Sequence, residues 1–272
     1  MRIRKRWAAA GMIVAAAAWW VAMEPSNARD WTSDNAREAV AEFRGDSVYV
    51  RNVRNAVYRT TSDYTVAWEE RAYDLRQVRS AWFMVEPIAH GPPGLAHTLV
   101  SFGFDDGRFL AVSAEIRKEQ GESFHPVKGL LNQYELTYVV ADERDVIGLR
   151  ANYRKDEVYL YPVRAERAQV RAMLTDMLRR ANRLHEEPEF YNTLTNTCTT
   201  NIVRHVNRVA PKKVPLSYKV LLPGWSDELA FDLGLIDTDL PLERARERYH
   251  VNARAAKYAD APDFSARIRA EN

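Results

Sequence analysis

The sequence contains one cysteine, Cys198, in 272 residues. An internal disulfide is therefore impossible, and with no Cys-x-x-Cys pair a cysteine-ligated zinc site is excluded. His-Glu-x-x-His spacing is missing, as are glycine-rich phosphate loops and the Gly-x-Ser-x-Gly turn of serine hydrolases. No cofactor and no metal are expected. An excess of one charge is missing too, since 39 Lys and Arg face 37 Asp and Glu. With no basic stripe interleaved with aromatics, nucleic acid is not an expected partner. Long apolar runs are confined to the amino terminus.

There, residues 2–6 read Arg-Ile-Arg-Lys-Arg, and residues 7–23 carry no charge. A basic segment before an apolar one marks an export signal or a signal anchor. Seventeen residues of helix reach about 25 Å, the short end for a membrane span. Trp19 and Trp20 suit the far interface, with the basic cluster cytoplasmic. The small residues Ser26, Asn27 and Ala28 offer an alternative, cleavage, but form no Ala-x-Ala site. A retained anchor is expected, with the rest exported to the periplasm.

The remaining composition, 46% apolar overall, supports a sizeable core. Residues 24–46 read as a polar tether with a short helix at 35–43. Residues 47–240 read as the folded domain and residues 241–272 as a charged tail that frays beyond Pro262. Strands are predicted over 47–59, 64–68, 81–85, 134–140 and 158–163. Trp68, Trp82 and Phe83 are assigned to the core. Asp142 should cap a helix running to Tyr153. Residues 166–186 should form a long helix with Val170, Met173, Leu174, Met177, Leu178 and Leu184 inward.

Cys198 lies in a polar Thr/Asn cluster just before a helical pattern of Ile202, Val203, Val206 and Val209. Thr195, Asn196 or Thr197 can serve as the cap, which places Cys198 in the first helical turn. Unpaired N–H groups and the positive helix end favour thiolate there. A lone cysteine is more often a small buried hydrophobe, so a base must be found.

Residues 96–104 and 108–117 flank Asp105-Asp106-Gly107, a three-residue hairpin loop ending in a left-handed glycine. That loop opposes Val100 to Val112, Phe102 to Leu110, Leu99 to Ser113 and His97 to Glu115. Opposed side chains have Cβ atoms about 4.5–5.5 Å apart, so Glu115 can orient the His97 imidazole. A two-residue turn would mix the apolar faces. His205 is about 10 Å further along the Cys198 helix, too far to serve. His90, His125, His185 and His250 read as solvated. A metal held by His97, Glu115 and another histidine remains the alternative use, without any recognised ligand spacing.

Several of these stretches together resemble a known family. They are Ala96-His97-Thr98 through Ser101-Phe102-Gly103-Phe104; Glu115-x-Arg-Lys-Glu119; residues 134–145 from Tyr134-Glu135-Leu136 to Asp145; and Thr195-Asn196-Thr-Cys198-Thr-Thr-Asn201. They resemble the Lnb N-terminal periplasmic domain family, named after a bacterial lipoprotein N-acyltransferase, over roughly residues 45–240. The resemblance implies a Cys–His pair for acyl transfer, which maps onto Cys198 and His97. The order His, acid, Cys is also similar to permuted NlpC-type papain folds. No large carboxy-terminal membrane domain of the kind expected in the named acyltransferase is seen, so the substrate stays open.

The expected fold is α+β: an antiparallel sheet with packed helices in a permuted papain-like arrangement, plus the amino-terminal hydrophobic helix. The expected function is a membrane-tethered thiol enzyme that transfers or hydrolyses an acyl group of a lipid or lipoprotein. Its catalytic residues would be Cys198, His97 and Glu115. The alternatives are a cysteine amidase or peptidase acting on cell-wall peptide, and an anchored interaction module in which Cys198 is merely buried. An apolar groove beside Cys198 would favour acyl chains, and a polar open cleft peptide.

Overall fold

The computed structural model describes residues 23–88 and 91–270. Its centre is the hairpin of β5 (Ala96–Phe104) and β6 (Phe109–Arg117). Gly107 takes φ +83°, and its N–H donates to Phe104 O while Phe104 N–H donates to Arg108 O. The three-residue loop sets the register as expected, with Val100 opposite Val112 and Phe102 opposite Leu110.

The sheet has eight strands in the order β1-β2-β7-β6-β5-β4-β8, with β3 on the other edge of β2. The remaining strands are β1 (Val40–Arg44), β2 (Ser47–Tyr58), β3 (Tyr64–Asp74), β4 (Val78–Pro87), β7 (Glu135–Ala141) and β8 (Tyr159–Pro162). A bulge at Asn52, φ +59°, bends β2 so that beyond it Arg54 can pair in parallel with Ala141 of β7.

Alternation along the strands divides the core into two layers. Val100, Phe102, Leu110, Val112 and Tyr138 face the long helix α3 (Arg167–Glu186) and α4 (Cys198–Val209). Before them in sequence come α1 (Pro126–Leu130) and α2 (Glu143–Gly148). Leu99, Ala111, Val139 and Ala141 face α2 and later helices. The α3 stripe is buried at every expected position and at Ala181. Each fully buried large aliphatic there contributes about 1.5–3 kcal/mol. Asp142 caps α2 by accepting from Arg144 N–H, and a π-helical turn continues it over Leu149–Arg154.

The mixed α+β class is as expected, and several local expectations need correction. Residues 35–43 do not form the expected short helix: Ser33–Asn35 is a 3₁₀ turn, and β1 follows. The Ala/Glu/Arg-rich composition favours helix locally, but tertiary pairing wins. Asn182 of α3 donates to Ala41 O and accepts from Ala41 N–H, both at 2.7 Å, capping the exposed sheet edge. The 24–46 segment as a whole lies on the domain, with Trp31, Asn35 and Ala39 buried.

The tail is packed too. After α5 (Tyr218–Leu221) and α6 (Ser226–Asp232) it forms α7 (Leu242–Tyr249), α8 (Asn252–Lys257) and α9 (Phe264–Arg267), with Val251, Ala255, Phe264 and Ile268 in the second layer. Trp82 and Phe83 are half-buried and packed against the core, whereas Trp68 is half-buried outside the core clusters. Trp82 lies under the Arg269 guanidinium, and Phe83 lines a cavity. The expected helix of residues 7–23 lies outside the described residues except for Met23. Among the described residues no helix is long and apolar enough to cross a membrane.

Candidate functional site

Thr197 is the cap of α4. Its hydroxyl accepts from Thr200 N–H, and the Thr200 hydroxyl accepts from Thr197 N–H at 2.7 Å. This box fixes Cys198 as the first helical residue, 5% exposed. By helix geometry the N–H groups of the first turn have no intrahelical partner and point past the helix end. Cys198 is thus held at the positive end of a twelve-residue helix packed on the sheet.

The backbone pairing of β5 with β6 runs from Val100–Val112 to Gly103–Phe109. Beyond it, side chains bridge the two strands. His97 Nε2 lies 2.7 Å from Ser113 Oγ and 3.5 Å from Glu115 Oε1, and both His97 and Glu115 are about one-fifth exposed. The Cys198 thiol lies 3.6 Å from the Thr199 hydroxyl, and His97 and Thr98 stand near enough to act on its charge. The three residues expected to meet, Cys198, His97 and Glu115, are together.

Burial opposes the thiolate, but the adjacent His97 charge and the polar groups of His97, Thr98 and Thr199 outweigh it, lowering Cys198 to about 7. Burial and the Arg150 guanidinium push His97 down, but Cys198 and Glu115 lift it to about 9. Thiolate beside imidazolium is the favoured pair between those values. Against its burial, Glu115 is held well below the usual carboxylate range by Arg150 first and His97 second.

Arg150 and Glu86 were not singled out in the sequence. Arg150, 2% exposed, donates from Nε to Glu86 Oε2 at 2.5 Å and from Nη2 to Glu115 Oε1 at 3.0 Å. Glu86 sits directly opposite His97 on β4, so a carboxylate flanks the histidine on each neighbouring strand. Ser113 is the diagonal neighbour of His97 across the hairpin, and that offset is the signal that could have found it.

Other residues of the family-like stretches hold the frame. Asp145 accepts both forks of buried Arg54 at 2.9 Å and the Ala56 N–H at 2.8 Å, fastening α2 to β2. His205 joins Tyr138 OH at 2.7 Å and Asp176 Oδ2 at 2.6 Å, tying α4 to β7 and α3. It takes no part at Cys198. His125 and His185 are exposed, whereas His250 is partly buried against Glu157. His90 lies outside the described residues.

On the α3–α4 face of the sheet lies an apolar cavity of about 310 Å³, walled by Phe83, Val100, Met173, Ile202, Val206 and Leu229. Small-molecule sites span about 300–1,000 Å³. One end meets Thr199, the residue after Cys198, whose hydroxyl is 2.9 Å from that of Thr98. Among the described residues no cluster of three or more His, Cys, Asp or Glu is set to hold a metal.

A family model described as the Lnb N-terminal periplasmic domain matches residues 64–224, more than half of the chain. The chain belongs to that family. The Lnb match spans every residue of the site, from Glu86 to Cys198, and supports an exported, periplasmic location. It begins later and ends earlier than the resemblance over 45–240. No curated protein and no solved structure matches the chain significantly.

Proposed function

We propose that this domain is a thiol enzyme acting on acyl groups, with Cys198 as nucleophile. His97 relays the proton: it holds the thiol proton as imidazolium while sulfur attacks the acyl carbonyl, then returns a proton to the leaving alcohol or amine. Glu115, itself held by Arg150, and Ser113 orient the imidazole. The N–H groups of Cys198 and Thr199 at the start of α4 supply the donors for the developing oxyanion. The resulting thioester passes its acyl group to a second acceptor or to water. The order of His97, Glu115 and Cys198 along the chain suits a permuted papain-like arrangement.

The observation that carries the acyl reading is the apolar cavity against the thiol's own helix, one residue from Cys198. A cell-wall amidase or peptidase would need a polar cleft there. An inert core cysteine would have no use for a neighbouring histidine and carboxylate.

The test is acyl-enzyme formation with thioesters of graded chain length, read as added mass on the intact protein. Long-chain donors should load wild type and leave Cys198→Ala unmodified. Val206→Trp, which fills a half-buried cavity wall, should cut loading by long chains at least tenfold and leave acetyl donors nearly unaffected. Equal losses for both lengths would remove the cavity from the account, and loading of Cys198→Ala would remove the nucleophile.

A further inference from the structure

Five large apolar side chains stand exposed close together: Phe124, Val127, Leu130 and Leu131 on and beside α1, and Leu194 in the loop before α4. The surface they form is built. Asn192 Nδ2 donates to Leu130 O and Asn132 Oδ1, and Thr193 Oγ1 donates to Pro126 O. Gly129 permits this approach, since a Cβ there would fall 2.4 Å from Thr193 Oγ1. Phe124 meets the Tyr191 ring edge-on at 6.2 Å. Leu194 lies four residues before Cys198 in the loop that leads into α4, so the patch adjoins the start of the thiol's helix. Contiguous exposed apolar surface marks an interaction site.

The path of the chain says what covers it. Ser26 N–H and Arg29 Nε both donate to Glu135 Oε1, at 3.1 and 2.7 Å, and Asn27 Nδ2 donates to Leu184 O. Glu135 follows Tyr134, whose hydroxyl is bonded to Ser123 O and His125 N–H at the base of the patch. The uncharged stretch of residues 7–23 therefore ends a few residues from this surface; three residues of extended chain reach about 10 Å. Lys128 is exposed within the patch and suits anionic headgroups.

We propose that Phe124, Val127, Leu130, Leu131 and Leu194 seat the domain on a lipid bilayer, with the mouth of the Cys198 site turned towards the membrane. Acyl chains would then reach the thiol from the lipid phase. The docking surface rests on exposure and chain path, and does not depend on the thiol chemistry.

The experiment uses the full chain reconstituted into phosphatidylethanolamine–phosphatidylglycerol vesicles whose acyl chains carry bromine. Leu131→Trp and Leu194→Trp add reporters in the patch. Val57→Trp adds one at the far end of β2, about 30 Å away along the sheet. Relative to the seven-tryptophan wild type, the patch reporters should be blue-shifted and quenched several-fold more than the Val57→Trp reporter. Equal, weak quenching of all three would overturn the proposal. Repeating the measurement in Cys198→Ala should leave the quenching unchanged. Quenching kept while acyl loading is absent sinks the enzymatic reading alone, and loading kept without patch quenching sinks the docking alone.

Discussion

Replacing Arg150 by methionine should be one of the costliest single changes in this domain. Its guanidinium sits between Glu86 and Glu115, 2.5 Å and 3.0 Å away, and also donates to Val146 O at 2.9 Å. Removing one partner of a buried ion pair costs about 3–5 kcal/mol, because the charge left behind is neither solvated nor paired. Burial already pushes Glu86 upward with Arg150 in place, and Glu115 is low chiefly because of Arg150. Without the guanidinium both carboxyls rise in the folded state. A carboxyl whose folded pKa is raised costs stability above its unfolded value of about 4.3 and nothing below it. The wild-type benefit from the depressed Glu115 has the opposite sense: it is present above that value and lost as pH falls through the folded one. The deficit of Arg150→Met should therefore be largest at pH 7–8 and shrink as pH approaches 4. Urea unfolding at several pH values reads this directly. With a slope of about 1–3 kcal/mol/M the midpoint at pH 7.5 should drop by more than about 1 M. A loss under about 1 kcal/mol, the same at pH 5 and pH 7.5, would refute the coupling of Arg150 to the two carboxylates.

Two further outcomes follow from local geometry. Gly94 has φ +86°, and a Cβ there would lie 2.4 Å from the Trp225 ring, where Gly224 N–H also donates to Gly94 O. Gly94→Ala should cost at least the ~1–2 kcal/mol of a left-handed residue and lower the melting temperature, while Gly107→Ala, open to solvent, should lose only that conformational part. Thr197→Ala removes the cap of α4, costing about 1 kcal/mol, and should raise the midpoint of Cys198 alkylation as the helix start loosens.

The hairpin was legible because its two determinants are local. A three-residue loop ending in Gly107 and a strict alternation of apolar residues leave one register, and that register brings His97 to Glu115. The start of α4 was legible for the same reason: Thr197, Cys198 and Thr200 carry the cap within four residues. Arg150 and Glu86 were hidden because their meeting depends on β4 pairing with β5 and on α2 crossing the opposite face, contacts separated by 64 residues. The strand at Val40–Arg44 was hidden likewise, its helix-favouring composition overridden by β2 and Asn182. The packed tail could not be read from its charge, since a few apolar residues, Val251, Ala255, Phe264 and Ile268, hold it down. The cavity has no local signature at all; its walls come from two strands and four helices.

The measurement that bears most directly on the central claim is the rate of Cys198 alkylation against pH, in wild type and His97→Ala. With His97 present, the rate should reach half its plateau near pH 7, the value to which Cys198 is lowered. Without it, burial is opposed only by the neighbouring hydroxyls, and the midpoint should move to or above the free-cysteine value of about 8.5. The same midpoint in both proteins, or a thiol unreactive up to pH 9, would contradict the Cys198–His97 pair.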